Sequence, residues 1–259
     1  MGFIETAYAA ESGSEGGISV HLAPEIMGTF LGVPITNTLI TVWFVMLLLT
    51  GVAFIVRRRL TLVPGGLQVI METLIGGAYD YVKDVLESET YARRFFPLII
   101  TIFIFILSLN WVGLLPGVDA IGIYHEGGKL VPFLHPANTD LNITIAFALV
   151  AFFTIEIAGV LVLGVLKYGG KFVNFSSPLA FAVGIIELFS ELARLVAFSF
   201  RLFGNIFAGK MLLLVVMFFV PFVMPIPFLA FEIFVGFIQA FIFAVLTLFF
   251  IKLAIEEPH

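Results

Sequence analysis

The sequence predicts an all-α polytopic membrane protein that crosses a bilayer about five times and lays an amphipathic hairpin on one membrane surface. Three observations predict it. Apolar residues make up 61% of the 259 and charged residues only 12%, about half the charged fraction of an ordinary soluble domain. The chain holds 31 Phe against 13 Lys plus Arg, more apolar surface than one core can use. Several uncharged runs reach the roughly 20 residues needed to span about 30 Å of hydrocarbon. The net charge of −5 is spread along the chain and gives no footprint for nucleic acid. With no cysteine, disulfides, thiolate zinc sites and cysteine nucleophiles are excluded.

The elements follow in order. Residues 1–34 read as an external segment, polar and Gly/Ser-rich from Glu11 to Gly17. They lack the basic and apolar regions of a cleaved signal peptide. Residues 35–259 read as one membrane domain. Its first span, 35–56, stops at Arg57-Arg58-Arg59, so that end faces the cytoplasm and the N-terminus lies outside. From 66 to 89, Ile70, Met71, Leu74, Tyr81 and Val85 fall near helical spacing among Glu72, Asp80, Lys83 and Asp84, which predicts an amphipathic element on the inner surface. Arg93 and Arg94 open the second span, 95–115, and Pro116-Gly117 ends it outside. Asp119 to Asp140 reads as an external loop with His125 and His135 solvated. The third span, 141–166, returns to Lys167 and Lys171. Positive charge thus marks all three inner boundaries.

Residues 178–220 break the ordinary pattern. They contain no proline between Pro178 and Pro221, and at 1.5 Å per residue they make about 60 Å of helix, twice the hydrocarbon thickness. Such a helix must tilt, bend or break. A turn at Pro221–Pro227 leads into the last span, 228–252, which ends inside.

Charge at mid-bilayer costs at least about 2.5–3.5 kcal/mol, so each intramembrane charge needs a reason. With Arg201 set at zero on the helix, Arg194 lies at about 20°, Glu187 and Asn205 at about 40°, and Glu191 at about 80°. These form one polar stripe. Lys210 lies at about 180°, some 13 Å further along. Gly204, Ala208 and Gly209 make the surface beside Arg201 flat enough for a partner helix to approach. One reading gives Arg201 a structural salt bridge with Glu187, Glu191 or Glu232. The other makes it a permanently charged group that controls a titrating partner, a role suited to Arg because it keeps its proton. Across the proline turn, Lys210 and Glu232 fall at similar depth, 11 residues either side of Pro221, and form a candidate pair. Gln239 sits deeper on nearly the same face as Glu232, level with Arg201. Asp140 and Asn142 stand at the mouth of the third span, where capping alone would explain them. Glu156, and more weakly Asn110, should face the bundle interior.

Arg201-Leu202-Phe203-Gly204-Asn205 with Ala208-Gly209, and later Gln239-Ala240-Phe241-Ile242-Phe243, resemble the two signatures of subunit a of F-type ATP synthase. Leu114-Leu115-Pro116 and Asn138 to Thr144 are similar to further stretches of that family. The resemblance covers most of the chain from the first span onward. It implies a stator that holds two aqueous half-channels against a rotating ring of c subunits, in contact with b subunits of the peripheral stalk and other ATP synthase subunits, in a bacterial plasma membrane. It implies no cofactor, no metal and no covalent catalysis on this chain. Arg201 matches the essential arginine that faces the ring carboxylates. Asn205 and Gln239 match polar residues lining that interface. Glu187, with Glu191 nearby, matches the cytoplasmic half-channel. Asp140, Asn142, Glu232 and Lys210 fall along the external one. The family pair at positions 210 and 232 is commonly Glu with His, whereas here it is Lys with Glu. The expectation is that Glu232 carries the proton and Lys210 tunes it.

Two other readings fit a charged membrane bundle. A self-contained transporter would bind an anionic substrate at Arg201, but such folds show internal repeats and none stands out. A purely structural subunit would have every charge satisfied by a partner.

Overall fold

In lipid, every backbone N–H and C=O must be satisfied within the protein, so apolar runs of span length become helices. The structure, a computed structural model, describes residues 24–30, 32–59, 61, 65–115, 117–118, 121–124, 130–172 and 178–256. The expectations for Glu11 to Gly17, Pro116, Asp119, His125, Glu126 and Lys129 lie outside these residues.

A short antiparallel hairpin, β1 (Ile26–Phe30) and β2 (Val33–Thr36), leads into α1 (Asn37–Arg59). Its turn uses Gly32 at φ +82°, a left-handed conformation open to glycine at little cost. Then come α2 (Gly66–Leu86), α3 (Glu89–Val112) and a second small hairpin, β3 (Gly122–Tyr124) with β4 (Leu130–Pro132). A single 3₁₀ turn (Ala137–Thr139) enters α4 (Leu141–Leu163), followed by α5 (Val165–Phe172), α6 (Pro178–Phe219) and α7 (Pro225–Ile255). Five of these helices are long and apolar enough to cross a membrane: α1, α3, α4, α6 and α7. The prediction of an all-α polytopic membrane fold therefore holds, with two short hairpins added at one end.

α3 and α7 run longer than the uncharged stretches that predicted them, because they continue past the apolar core into polar surroundings, while α4 and α6 end at Leu163 and Phe219, short of the predicted 166 and 220. α3 starts at Glu89 under an N-cap from Ser88, whose Oγ accepts from the Tyr91 N–H, and Arg93 reaches back to Glu89 at 2.6 Å. α7 starts at Pro225 and not after Pro227, since proline is at home in a first helical turn, where its missing N–H has no partner to lose. The amphipathic segment is one continuous helix, α2, not a hairpin. Its Gly76-Gly77 pair is carried through without a break, and α2 folds back on α3 through the left-handed Glu87 (φ 51°). The Glu87 carboxylate accepts from Lys252 Nζ at 2.6 Å, which ties this corner to the end of α7. The ammonium holds the Glu87 carboxyl below the usual carboxylate range. Its stabilising effect is present above that ordinary range and fades as pH falls through the lowered value. It is small because the pair is open to solvent.

α6 is unbroken over 42 residues. The bundle is built on α7, which packs against α3, α4 and α6, while α4 also lies along α6. α7 can do this because its buried positions, among them Gly236, Gln239, Ala240, Phe243, Ala244 and Thr247, recur every three or four residues. Three of these are small enough to bring helices close. One core at the end bearing Arg57, Arg93 and Lys252, here the arginine end, joins Phe95 and Ile99 to Leu248 and Ile251. A second, at mid-height, joins Ile106, Ala151, Phe198, Leu202 and Phe243. A third, at the hairpin end, holds Val45, Leu109, Val112 and Ala137. α1 touches mainly α3 and the 3₁₀ turn.

Between α4 and α5 the chain turns at Gly164 (φ +82°), which folds α5 back so that the buried Tyr168 ring lies on Gly159. A Cβ on Gly159 would overlap that ring. Gly159→Ala is therefore expected to destabilise the fold by about 1–3 kcal/mol, the usual cost of overpacking a filled core. A lowered thermal midpoint of the detergent-solubilised protein checks this, and an unchanged midpoint would mean that the ring is not held there.

Candidate functional site

The long helix α6 turns one side to the bundle and leaves another open. Phe198, Ser199, Leu202, Ile206 and Leu213 are among its buried positions, on the side packed against α4 and α7. Arg201, one residue before Leu202, lies about 100° round the helix and is exposed. Asn205 is exposed on the same side, with Nδ2 donating to the Arg201 carbonyl at 2.9 Å. A Cβ on Gly204 would meet nothing within 4 Å, and Ala208 is exposed. Among the described residues nothing forms an ion pair with Arg201. Glu191 binds Arg194, and Glu232 lies buried elsewhere without a hydrogen bond to Oε1. The structural salt bridge that the sequence allowed to these two is thus not formed. What the fold presents is a guanidinium on a flat, small-residue strip along an apolar surface.

At the hairpin end, α3, α6, α7 and the segment before α4 enclose a cavity of about 440 Å³. Its walls are apolar (Leu114, Leu213, Met217, Leu229) apart from Asn110, Lys210 and Glu232. Glu232 is 5% exposed, and its carboxylate lies against the backbone of Gly209, where any Cβ would overlap it. Lys210 and Glu232 do share one cavity, as their depth predicted, but they do not bond. Lys210 Nζ instead lies 3.3 Å from His135 Nδ1 and 3.4 Å from Nε2.

His135 corrects an expectation. It is wholly buried, not solvated. The whole segment from His135 to Asp140 is buried, because it plugs the space between α1, α3 and α6 and satisfies its polar groups there. The His135 N–H donates to Thr41 Oγ1 at 2.9 Å. Asn138 Nδ2 donates to Asn110 Oδ1 at 2.6 Å, and Asn110 Nδ2 to the Gly236 carbonyl at 2.8 Å. Thr38 donates to Asp140 Oδ2 at 2.9 Å. Asp140 Oδ1 accepts from the Asn142 N–H, so it caps α4 as its position suggested, and Asn142 is exposed beside it.

At the arginine end a second polar group is sealed inside. The Glu191 carboxylate holds Arg194 Nη1 at 2.6 Å, and the Arg194 guanidinium stacks 3.8 Å from the Phe250 ring centroid, a favourable cation–π contact. Nearby, the Tyr168 hydroxyl lies against Glu156. Burial first, then the Glu156 charge, pushes its pKa up. Glu156 faces the interior, as expected, with one oxygen fully buried. Glu187 is half-buried one turn before Glu191. Gln239 lies in the buried stripe of α7 at 9% exposure, between the two polar ends.

The structure thus separates the predicted residues into three places: Arg201 and Asn205 on the open strip, Lys210 and Glu232 at the cavity, and Glu187 and Glu191 toward the arginine end. His135, Gly209 and Arg194 were not singled out for these contacts by sequence. His135 sits in a polar stretch that reads as a loop, and nothing local announces that the loop is folded inward.

The family model described as ATP synthase A chain matches residues 39–252. The chain is similar to the "ATP synthase subunit a" of Moorella thermoacetica, with 33% identity over 89% of this chain and 92% of that protein. It is similar to the "ATP synthase subunit a 1" of Syntrophotalea carbinolica, with 36% identity over 84% of this chain and 85% of the relative. It also matches the "ATP synthase subunit a" of Gloeobacter violaceus, with 37% identity over 85% and 84%.

Two outcomes follow from this geometry. Because the chain has no native cysteine, single cysteines report surface directly. In the solubilised chain alone, Asn205→Cys and Ala208→Cys should label readily with a small maleimide while Leu202→Cys stays protected; equal labelling of all three would contradict the open strip. Gly209→Val should cost about 1–3 kcal/mol by forcing the Glu232 carboxylate from its seat, read as a lowered thermal midpoint.

Proposed function

The chain belongs to the ATP synthase A chain family, the proton-translocating stator subunits of F-type ATP synthases, and from that premise we propose that Arg201 is the group that meets the carboxylates of a partner ring of c subunits. The protein is a multi-pass bacterial membrane protein that works with other ATP synthase subunits. The observation that carries the reading is the exposure of Arg201 and Asn205 on a strip of small residues with no ion pair from the described residues. An unpaired guanidinium facing hydrocarbon would cost at least about 2.5–3.5 kcal/mol. A ring of helices that brings a carboxylate to it removes that cost.

The proposed path has two halves. Protons enter from outside at the hairpin end, past Asp140 and Asn142, into the cavity bearing Glu232 and Lys210, and move by way of Gln239 to a ring carboxylate. The neutral carboxyl can then turn through lipid, where the ion could not. After nearly a full turn it meets Glu187 and Glu191 at the cytoplasmic arginine end and releases its proton. The Arg201 charge favours the ionised carboxylate and, being permanent, blocks a direct leak between the halves. The separation of Glu187 from the cavity along one unbroken helix supports two offset openings. In this reading the chain performs no covalent step, the N-terminus lies outside, the C-terminus lies in the cytoplasm, and the b subunits of the peripheral stalk hold the chain still.

Arg201→Ala tests it. ATP-driven proton pumping by vesicles carrying the variant complex is expected to fall to the level of vesicles without it, while the c-ring still co-purifies. Normal pumping would reduce Arg201 to a structural residue and undo the mechanism.

A further inference from the structure

A turn that faces water is usually built from Gly, Asn, Asp, Ser and Pro, which set its backbone angles and tolerate solvent. The turn between α6 and α7 is built otherwise. Every residue from Met211 to Phe231 is Met, Leu, Val, Phe, Pro, Ile or Ala. The run has the length of a membrane span, yet it folds back on itself between Phe219 and Pro225. It contains no Trp, Tyr, Lys or Arg, the residues that anchor a chain at the level of lipid headgroups.

The fold turns these side chains outward. Phe222 is 88% exposed, and Phe218, Phe219, Val223 and Ile226 are exposed around it. The apolar surface continues down both helices through Met217 and Phe231. Soluble surfaces rarely carry an apolar patch of this kind without a partner. The segment before α4, which flanks the same cavity through Pro136, is the opposite case. It holds His135, Asn138 and Asp140 and ties their polar groups to α1 and α3. One side of the cavity thus ends in a polar connection, and the other in a turn whose only polar groups are backbone.

We propose that the α6–α7 turn is seated among the upper acyl chains of the outer leaflet, so that lipid and not water closes the cavity on that side. The leaflet is the outer one on the orientation proposed above; the burial in lipid rests on the fold alone. Lipid accepts a turn only where its backbone groups are met. Pro221, Pro225 and Pro227 bring no N–H to be met. The Val220 N–H donates to the Val216 carbonyl at 2.9 Å, and the Ile226 N–H to the Val223 carbonyl at 3.3 Å. At the depth of the upper acyl chains, lipid ester oxygens can accept from the N–H groups that remain. The cavity has Leu213, Met217 and Leu229 on its α6–α7 side and Asn110, Gly113 and Pro136 on the other. With lipid over the turn, water reaches Lys210 and Glu232 from the side of the segment before α4.

The chain has no native cysteine, so an environment-sensitive maleimide fluorophore can be placed at Phe222→Cys or, as a second site, at Val223→Cys. The whole complex is used, in a background whose other subunits carry no reactive cysteine. Glu256→Cys, exposed just past the end of α7, is the water reference. The complexes are reconstituted into phosphatidylcholine vesicles with plain or brominated acyl chains, and iodide is supplied on both sides. Both turn labels should lose more than half of their emission in brominated lipid. Iodide should quench them several-fold less than it quenches the Glu256→Cys label. Iodide quenching equal to that reference at both sites would overturn the proposal by placing the turn in water. Quenching by neither agent would also overturn it, by showing that protein covers the turn. Pumping by Arg201→Ala tests the half-channel reading separately: if that variant pumps normally while the turn labels report lipid, the burial stands and only the water route to the cavity falls.

Discussion

Hydrocarbon tolerates no unmet polar group cheaply, and the arrangement of this bundle follows from how each such group is met. Glu191 and Arg194 meet each other, and the guanidinium finishes on the Phe250 ring. Asn110 and Asn138 bond in series to the Gly236 carbonyl, which spares a buried amide on each of two elements. Asp140 satisfies both a hydroxyl and a helix end. These closed arrangements fix α1, α3, α4, α6 and α7 relative to one another. Glu232 and Arg201 stand apart from these arrangements. Glu232 is buried against bare backbone, and Arg201 points out of the bundle. In the proposed function, these two are the groups that meet something that comes and goes.

The two exceptions differ in kind. Among the described residues Arg201 has no ion-pair partner, and the flat strip of Gly204, Asn205 and Ala208 beside it leaves room for a close-packed helix from elsewhere. Glu232 lacks a partner although a cation lies in the same cavity. One exception is solved by assembly, the other by the proton itself. In the proposed function this division gives Arg201 to the contact between moving parts and Glu232 to the supply of protons to it.

Much of the fold was legible because its signals are long. An uncharged run of some 20 residues bounded by arginines can hardly be anything but a span, and the structure has five helices long and apolar enough to cross a membrane. The ends were less legible, since helices continue into polar surroundings where hydropathy no longer marks them, as Glu89 to Arg94 shows. The site was legible on α6 and α7, where a charge amid apolar residues stands out against its background. It was not legible in the segment before α4. His135 reads as one more polar residue of a loop, and only the pairing of β3 with β4 and the plugging of the space beside Thr41 turn it inward. Sequence distance hid the rest: His135 and Lys210 are 75 residues apart, and no local pattern connects them. The same holds for Gly209, whose missing side chain has meaning only beside Glu232.

The unbroken course of α6 has a mechanical side. A helix bends gently unless proline, a π-bulge or an inserted side chain interrupts its hydrogen-bond ladder, and over 42 residues none does. Glu187 and Lys210 are therefore joined by a single beam about 35 Å long, with no hinge between them. A force applied sideways at Arg201, near the middle of that beam, is passed to α4 and α7 along its whole length and is not absorbed by local yielding. Any part that moved past such a beam would have to do its own flexing, because no hinge lies between the two ends.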